Sequence, residues 1–113
     1  MGLQIVGIEN VGKVDSERLV LRVSGEPVAN WTYAVLSTPT KPRHAYYFDD
    51  EDPYATLIDG DKVYLYTGAG DNCIERNGDQ KVAHYYWGLS ESVWNKGDKI
   101  TLLEIAQRTD QNV

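Results

Sequence analysis

Apolar and polar residues alternate along most of this chain with a period of two, the pattern of strands that bury one face and wet the other. In residues 17–23, Leu19, Leu21 and Val23 fall on one side, Arg18 and Arg22 on the other. Residues 62–67 repeat the pattern as Lys62-Val63-Tyr64-Leu65-Tyr66-Thr67, between Gly60-Asp61 and Gly68-Ala69-Gly70. Further strands are predicted at 5–8, 31–36, 45–48, 84–88 and 99–103, seven in all, separated by Gly, Pro, Asn and Asp. No segment holds apolar positions at helical spacing over three turns, so the expectation is one all-β domain spanning 1–113. At most one helical turn is expected, and residues 104–113 are the one ambiguous stretch.

The predicted core is Ile5, Leu19, Leu21, Val23, Trp31, Val35, Val63, Leu65, Trp87, Trp94, Ile100 and Leu102. Among these, Trp31, Trp87 and Trp94 are expected to be structural, because large rings contribute most when buried. Residues 71–81 read as a long polar loop carrying the one cysteine, Cys73, which can form no internal disulfide.

Three segments in order, "NWTY" before a strand, "VYLYTGAG", and "YYWGLSESVWNKGDKITLLE", resemble the lamin-tail domain family. The resemblance covers about half of the chain. It implies an immunoglobulin-like antiparallel β-sandwich of the lamin-tail type, in a family of non-catalytic modules found in nuclear lamins and beside other domains in microbial proteins. The chain departs from that pattern after Glu104, where no Asp-Gly hairpin follows, and it has no heptad rod with which to form a filament.

Seventeen acidic against eleven basic side chains give a net charge of −6, which opposes attraction to nucleic acid and to anionic membranes. No apolar run approaches the roughly 20 residues of a membrane span. The first residues lack the basic region of a signal peptide and read as a strand. A cytoplasmic location is expected with Met1 as the native start, an extracellular one if the domain is cut from a longer exported protein.

Candidate chemistry is sparse. Asp49, Asp50 and Asp52, with Glu51 between and Asp59 and Asp61 near in sequence, are the candidate ligands for calcium, which takes hard oxygen donors, although the spacing is not that of an EF-hand and a solvated acidic loop is the commoner cause of such a run. The serines stand in no nucleophile elbow, and His44 and His84 stand in no zinc or triad spacing, so neither catalysis nor a cofactor is indicated. A hydrolytic site assembled from His84, Ser90 or Ser92 and an acidic neighbour is a distant third reading. Eight tyrosines exceed the needs of one small core, and some rings must face outward. The candidate binding residues are therefore Tyr64 and Tyr66, with Asp71, Asn72, Arg76 and Asn77 of the polar loop.

These features lead to a protein-interaction module, contacting a partner protein or adjoining domain, or forming a homodimer by pairing its last strand. The alternative from another class is a carbohydrate-binding module that stacks Tyr and Trp rings on sugars, with or without calcium at the acidic loop.

Overall fold

The computed structural model describes residues 2–29, 33–38, 44–48, 56–94, 99–104 and 111. Ten strands run in chain order: β1 Gly2–Glu9, β2 Arg18–Ser24, β3 Val28–Ala29, β4 Tyr33–Thr38, β5 His44–Tyr47, β6 Thr56–Leu57, β7 Lys62–Tyr66, β8 Cys73–Asn77, β9 Gln80–Tyr86 and β10 Lys99–Glu104. No helix occurs among the described residues. A five-stranded sheet has the order β1-β2-β7-β9-β8, a three-stranded sheet the order β10-β4-β5, and β3 and β6 form a short ladder. The fold is all-β, with two main sheets contributing to one core, an arrangement consistent with a β-sandwich.

Leu19, Leu21 and Val23 of β2, Val63 and Leu65 of β7, and Ala83 and Tyr85 of β9 point from the five-stranded sheet into that core. Tyr33 and Val35 of β4, with Phe48, meet them from the other side. Trp94 is 1% exposed, and Trp87, partly buried, packs edge-to-face against it at 6.4 Å between ring centroids. Ile100 and Leu102 are also partly buried against the core. Trp31 lies outside the described residues.

Three expectations need correction. Ile5 is 40% exposed on the edge strand β1, beside a bulge: the pairing jumps from Ile5↔Leu21 to Gly7↔Val20, leaving Val6 as the extra residue. Leu3 and Ile8 supply β1's apolar contacts instead.

Second, residues 71–81 are not a free loop. Cys73–Asn77 is the edge strand β8, joined to β9 through a two-residue Gly78-Asp79 turn whose glycine takes φ +63°. β8 is exposed except at half-buried Ile74, so backbone pairing to β9 holds it and no apolar alternation announces it.

Third, the large sheet is mixed, not purely antiparallel: β7 and β9 pair in parallel from Lys62↔Val82 to Tyr66↔Tyr86. The chain leaves β7, runs out to β8 at the edge and folds back, placing the more apolar β9 in the interior of the sheet. That whole excursion serves as the long connection a parallel pair requires.

Glu17 pins one end of the structure. Its carboxylate, fully buried, accepts from Gly12 N–H (2.8 Å), Thr67 Oγ1 (2.7 Å), Ser92 Oγ (2.5 Å), Val93 N–H (3.1 Å) and Trp94 N–H (3.5 Å). These donors come from the β1–β2 turn, the end of β7 and the segment before Trp94, so one side chain ties three stretches of chain. Burial pushes the carboxyl up, but the hydroxyls of Ser92 and Thr67 and the amides of Gly12 and Val93 outweigh it and hold it below its ordinary value.

Gly68 lies against the same end. A Cβ there would stand 2.7 Å from the Val14 carbonyl oxygen, a backbone atom that cannot swing aside. Gly68→Ala is expected to cost about 1–3 kcal/mol in urea unfolding. Gly7→Ala, where a Cβ meets nothing within 4 Å, is the matched control.

Candidate functional site

Strand alternation that sends Leu19, Leu21, Val63, Leu65 and Tyr85 inward sends Arg18, Tyr64, Tyr66, His84 and Tyr86 to the outer face of the five-stranded sheet. Register brings them together: Tyr66 stands opposite both Arg18 and Tyr86, and Tyr64 opposite His84. The Tyr66 and Tyr86 rings stack at 4.5 Å with 10° between planes, and the His84 ring lies 5.8 Å from Tyr66 at 22°. The Arg18 guanidinium sits 4.1 Å from the Tyr64 ring centroid, within cation–π range.

A chain of polar contacts crosses the same face, with one residue from each of the five strands. Arg18 Nε donates to Glu9 Oε1 (2.5 Å), and Arg18 Nη1 donates to the Tyr66 hydroxyl (3.0 Å). The hydroxyl lies 3.0 Å from His84 Nδ1, and His84 Nε2 lies 3.2 Å from Glu75 Oε1. Every group is satisfied when neutral His84 carries its proton on Nε2: Tyr66 O–H then donates to Nδ1, and Nε2–H donates to Glu75. Burial pushes Arg18 down, but its bonds to Glu9 and Tyr66 prevail and raise it above its ordinary value. Burial also raises the Tyr86 hydroxyl, with the neighbouring Tyr66 adding to the effect.

Tyr86 is seated by its surroundings. Its backbone N–H donates to Asn72 Oδ1 (2.9 Å), and its ring covers Gly70, where a Cβ would come within 2.5 Å of ring carbons. Below it the chain turns a corner through Trp87 N–H to Tyr66 O (2.8 Å), Gly88 N–H to Gly68 O (2.9 Å) and Leu89 N–H to Thr67 O (2.9 Å).

Of the candidate binding residues, Tyr64 and Tyr66 lie at the centre of this platform. Asn72 supports it through Tyr86, and Asp71 is exposed beside Asn72. Arg76 and Asn77 are exposed at the other end of β8, opposite Lys81 and Gln80, and do not join the tyrosines. The calcium candidates Asp49, Asp50 and Asp52 lie outside the described residues. Asp59 and Asp61 hold turns: Asp59 Oδ1 accepts Gly25 N–H (2.8 Å), while buried Asp61 accepts Ile58 N–H and Lys81 N–H (both 2.9 Å). Among the described residues, no three His, Cys, Asp or Glu side chains are grouped to hold a metal ion.

Arg18, His84, Tyr86, Glu9 and Glu75 are missing from the sequence-based site, because only register assembles them. His84, at the start of the predicted strand 84–88, lies inside β9 and bonds two side chains. Cys73 is an exposed free thiol on β8, opposite His84.

The platform makes a spectroscopic prediction. Tyr66→Phe removes the hydroxyl between Arg18 and His84, and is expected to cost about 1 kcal/mol, since one net hydrogen bond at a half-exposed site is at stake. Long-range ¹H–¹⁵N spectra should show the Nε2–H tautomer of neutral His84 in the wild type and a mixture of tautomers in Tyr66→Phe. An unchanged tautomer would mean that the hydroxyl does not set it.

No known family profile matches the chain, and no curated protein is significantly similar to it. The lamin-tail resemblance therefore rests on the quoted segments alone.

Proposed function

We propose that the chain is a non-enzymatic protein-interaction module, of immunoglobulin-like, lamin-tail-like architecture, that binds a partner protein or adjoining domain through the outer face of its five-stranded sheet. The observation that carries this reading is the preorganised platform of Tyr64, Tyr66, Tyr86, His84 and Arg18. Half-exposed tyrosine and arginine side chains, fixed before binding, lose little entropy on contact and are the residue types that dominate protein interfaces.

Two features favour this over the other readings. Tyr66 and Tyr86 stack on each other, so each gives one ring face to its neighbour and less remains for a sugar. The groups of a hydrolytic site are engaged separately: Ser92 bonds Glu17 and the Trp94 carbonyl, while His84 bonds Tyr66 and Glu75. Self-association belongs to the same proposal, through β10, the last strand, which is an edge of the three-stranded sheet and exposes Leu103.

Capture from an extract of the source cells, compared between wild type, Tyr64→Ala, Tyr66→Ala and Arg76→Ala, tests the surface. The expected result is a protein retained by wild type and Arg76→Ala and lost with both tyrosine variants, each first shown to fold. Equal retention by all four would overturn the assignment, and ring-dependent binding to a glycan array without any protein partner would replace it with the carbohydrate reading. Light scattering over a concentration series tests the edge: a mass rising above 12.7 kDa supports self-association, and a constant mass removes it.

A further inference from the structure

Beside the platform, the outer face holds a groove of about 310 Å³ between β1, β2 and β7, with Val6, Val20, Arg22, Lys62 and Tyr64 among its lining residues. Arg22 and Lys62 stand directly opposite each other across the β2–β7 ladder. Like charges in that position destabilise a sheet. Both side chains are exposed, and among the described residues neither has a hydrogen bond or ion pair.

Their neighbours behave differently. Arg18 is paired with Glu9, and Lys81 lies 3.8 Å from Asp61. Glu9, the groove's own acid, is thus already engaged, and two uncompensated positive charges remain in a chain whose net charge is −6.

The groove's other wall is apolar. The β1 bulge leaves Val6 61% exposed, and buried Val20 and the Tyr64 ring continue the surface. Among the described residues β1 is also a sheet edge, although the Leu3 N–H donates to the Tyr33 hydroxyl and is not open to an added strand.

We propose that this groove receives an acidic, extended peptide segment of a partner protein, with a carboxylate on Arg22 and Lys62 and a neighbouring apolar side chain on Val6 and Tyr64. The proposal rests on the interaction-module reading and names the chemistry of the partner. A bare anion would use the cations but not the apolar wall. Among the described residues a nucleic acid would meet only two free cations here, against the net charge of −6 of the chain.

The test is an NMR titration of the ¹⁵N-labelled full chain with a capped peptide of alternating valine and glutamate, its valine–glutamine isostere, inorganic phosphate and a short single-stranded DNA. Saturable shifts at Val6, Gly7, Val20, Arg22 and Lys62 are expected with the acidic peptide. Affinity should fall about tenfold with the isostere and about tenfold in Arg22→Gln or Lys62→Gln, the size of one lost charge-assisted contact. Added salt should weaken binding to the wild type more than to either variant.

Equal affinity for the isostere, the same shifts from phosphate at the same concentration, tighter binding of the DNA, or no groove shifts with any probe would each overturn the proposal. Tyrosine-dependent capture of a protein that persists after such a result would leave the interaction module standing and remove only the groove's ligand. Loss of both results would remove both.

Discussion

Replacing Glu17 with alanine is expected to destabilise the protein by about 4 kcal/mol, the largest effect of any single polar substitution, because five donors then lose one buried carboxylate. The hydroxyls of Thr67 and Ser92 can rotate to other acceptors, but the amides of Gly12 and Val93 cannot follow. Glu17→Gln keeps the shape and one acceptor oxygen, yet turns an NH₂ group toward donors on the other side, so about half the loss is expected. The sign of the pH dependence follows from the lowered pKa. Glu17's contribution is complete above its unfolded value of about 4.5 and is lost as pH falls through the lower folded value. Urea unfolding below pH 4.5 should therefore narrow the gap between wild type and Glu17→Gln, and a gap that is constant down through this acid range would show that the carboxylate is not the ionised anchor described here.

Trp94→Ala is expected to cost about 3–5 kcal/mol, the range for removing a large aromatic side chain from a packed core. Trp94 is 1% exposed and its ring packs against Trp87; its backbone N–H, which alanine keeps, reaches Glu17. Trp87→Ala should cost less, about 2–3 kcal/mol, because Trp87 is only partly buried. Glu17 holds the backbone of Val93 and Trp94, the segment that seats the Trp94 ring, so the double variant should lose less than the sum of the singles. Strict additivity in that cycle would indicate that the anchor and the ring act independently.

The legible parts of this fold were those in which side-chain burial alone dictates structure. Leu19, Leu21 and Val23 alternate with arginines, Val63 and Leu65 with tyrosines, and both strands lie where that alternation puts them. β8 escaped because Cys73, Glu75, Arg76 and Asn77 are all exposed and their strand conformation comes from pairing with β9. The available signal was the Gly78-Asp79 turn before Gln80, which closes a two-residue hairpin. Ile5 reads as core from its apolar character, yet it lies on an edge strand beside the bulge, and nothing local distinguishes Val6 as the extra residue. The parallel pairing of β7 and β9 could not be read from either strand alone.

The same division applies to the site. Tyr64 and Tyr66 were identifiable as outward rings because Val63 and Leu65 must face the core. Their partners Arg18, His84 and Tyr86 are distant in sequence and meet them only through register, and Glu17 carries no local mark that sets it apart from a solvated glutamate. Asn72, a loop contact by sequence, accepts the Tyr86 backbone N–H, a role that only the fold reveals.

The most direct test of the central claim is site-specific photocross-linking in the source cells, with a benzophenone side chain placed at Tyr66, at Tyr64, or at Asp79 on the tip of the β8–β9 hairpin. An interacting outer face predicts a discrete protein adduct from position 66 or 64 and none from position 79. Adducts from the hairpin tip alone, or none from the platform while the labelled chains remain folded, would contradict it.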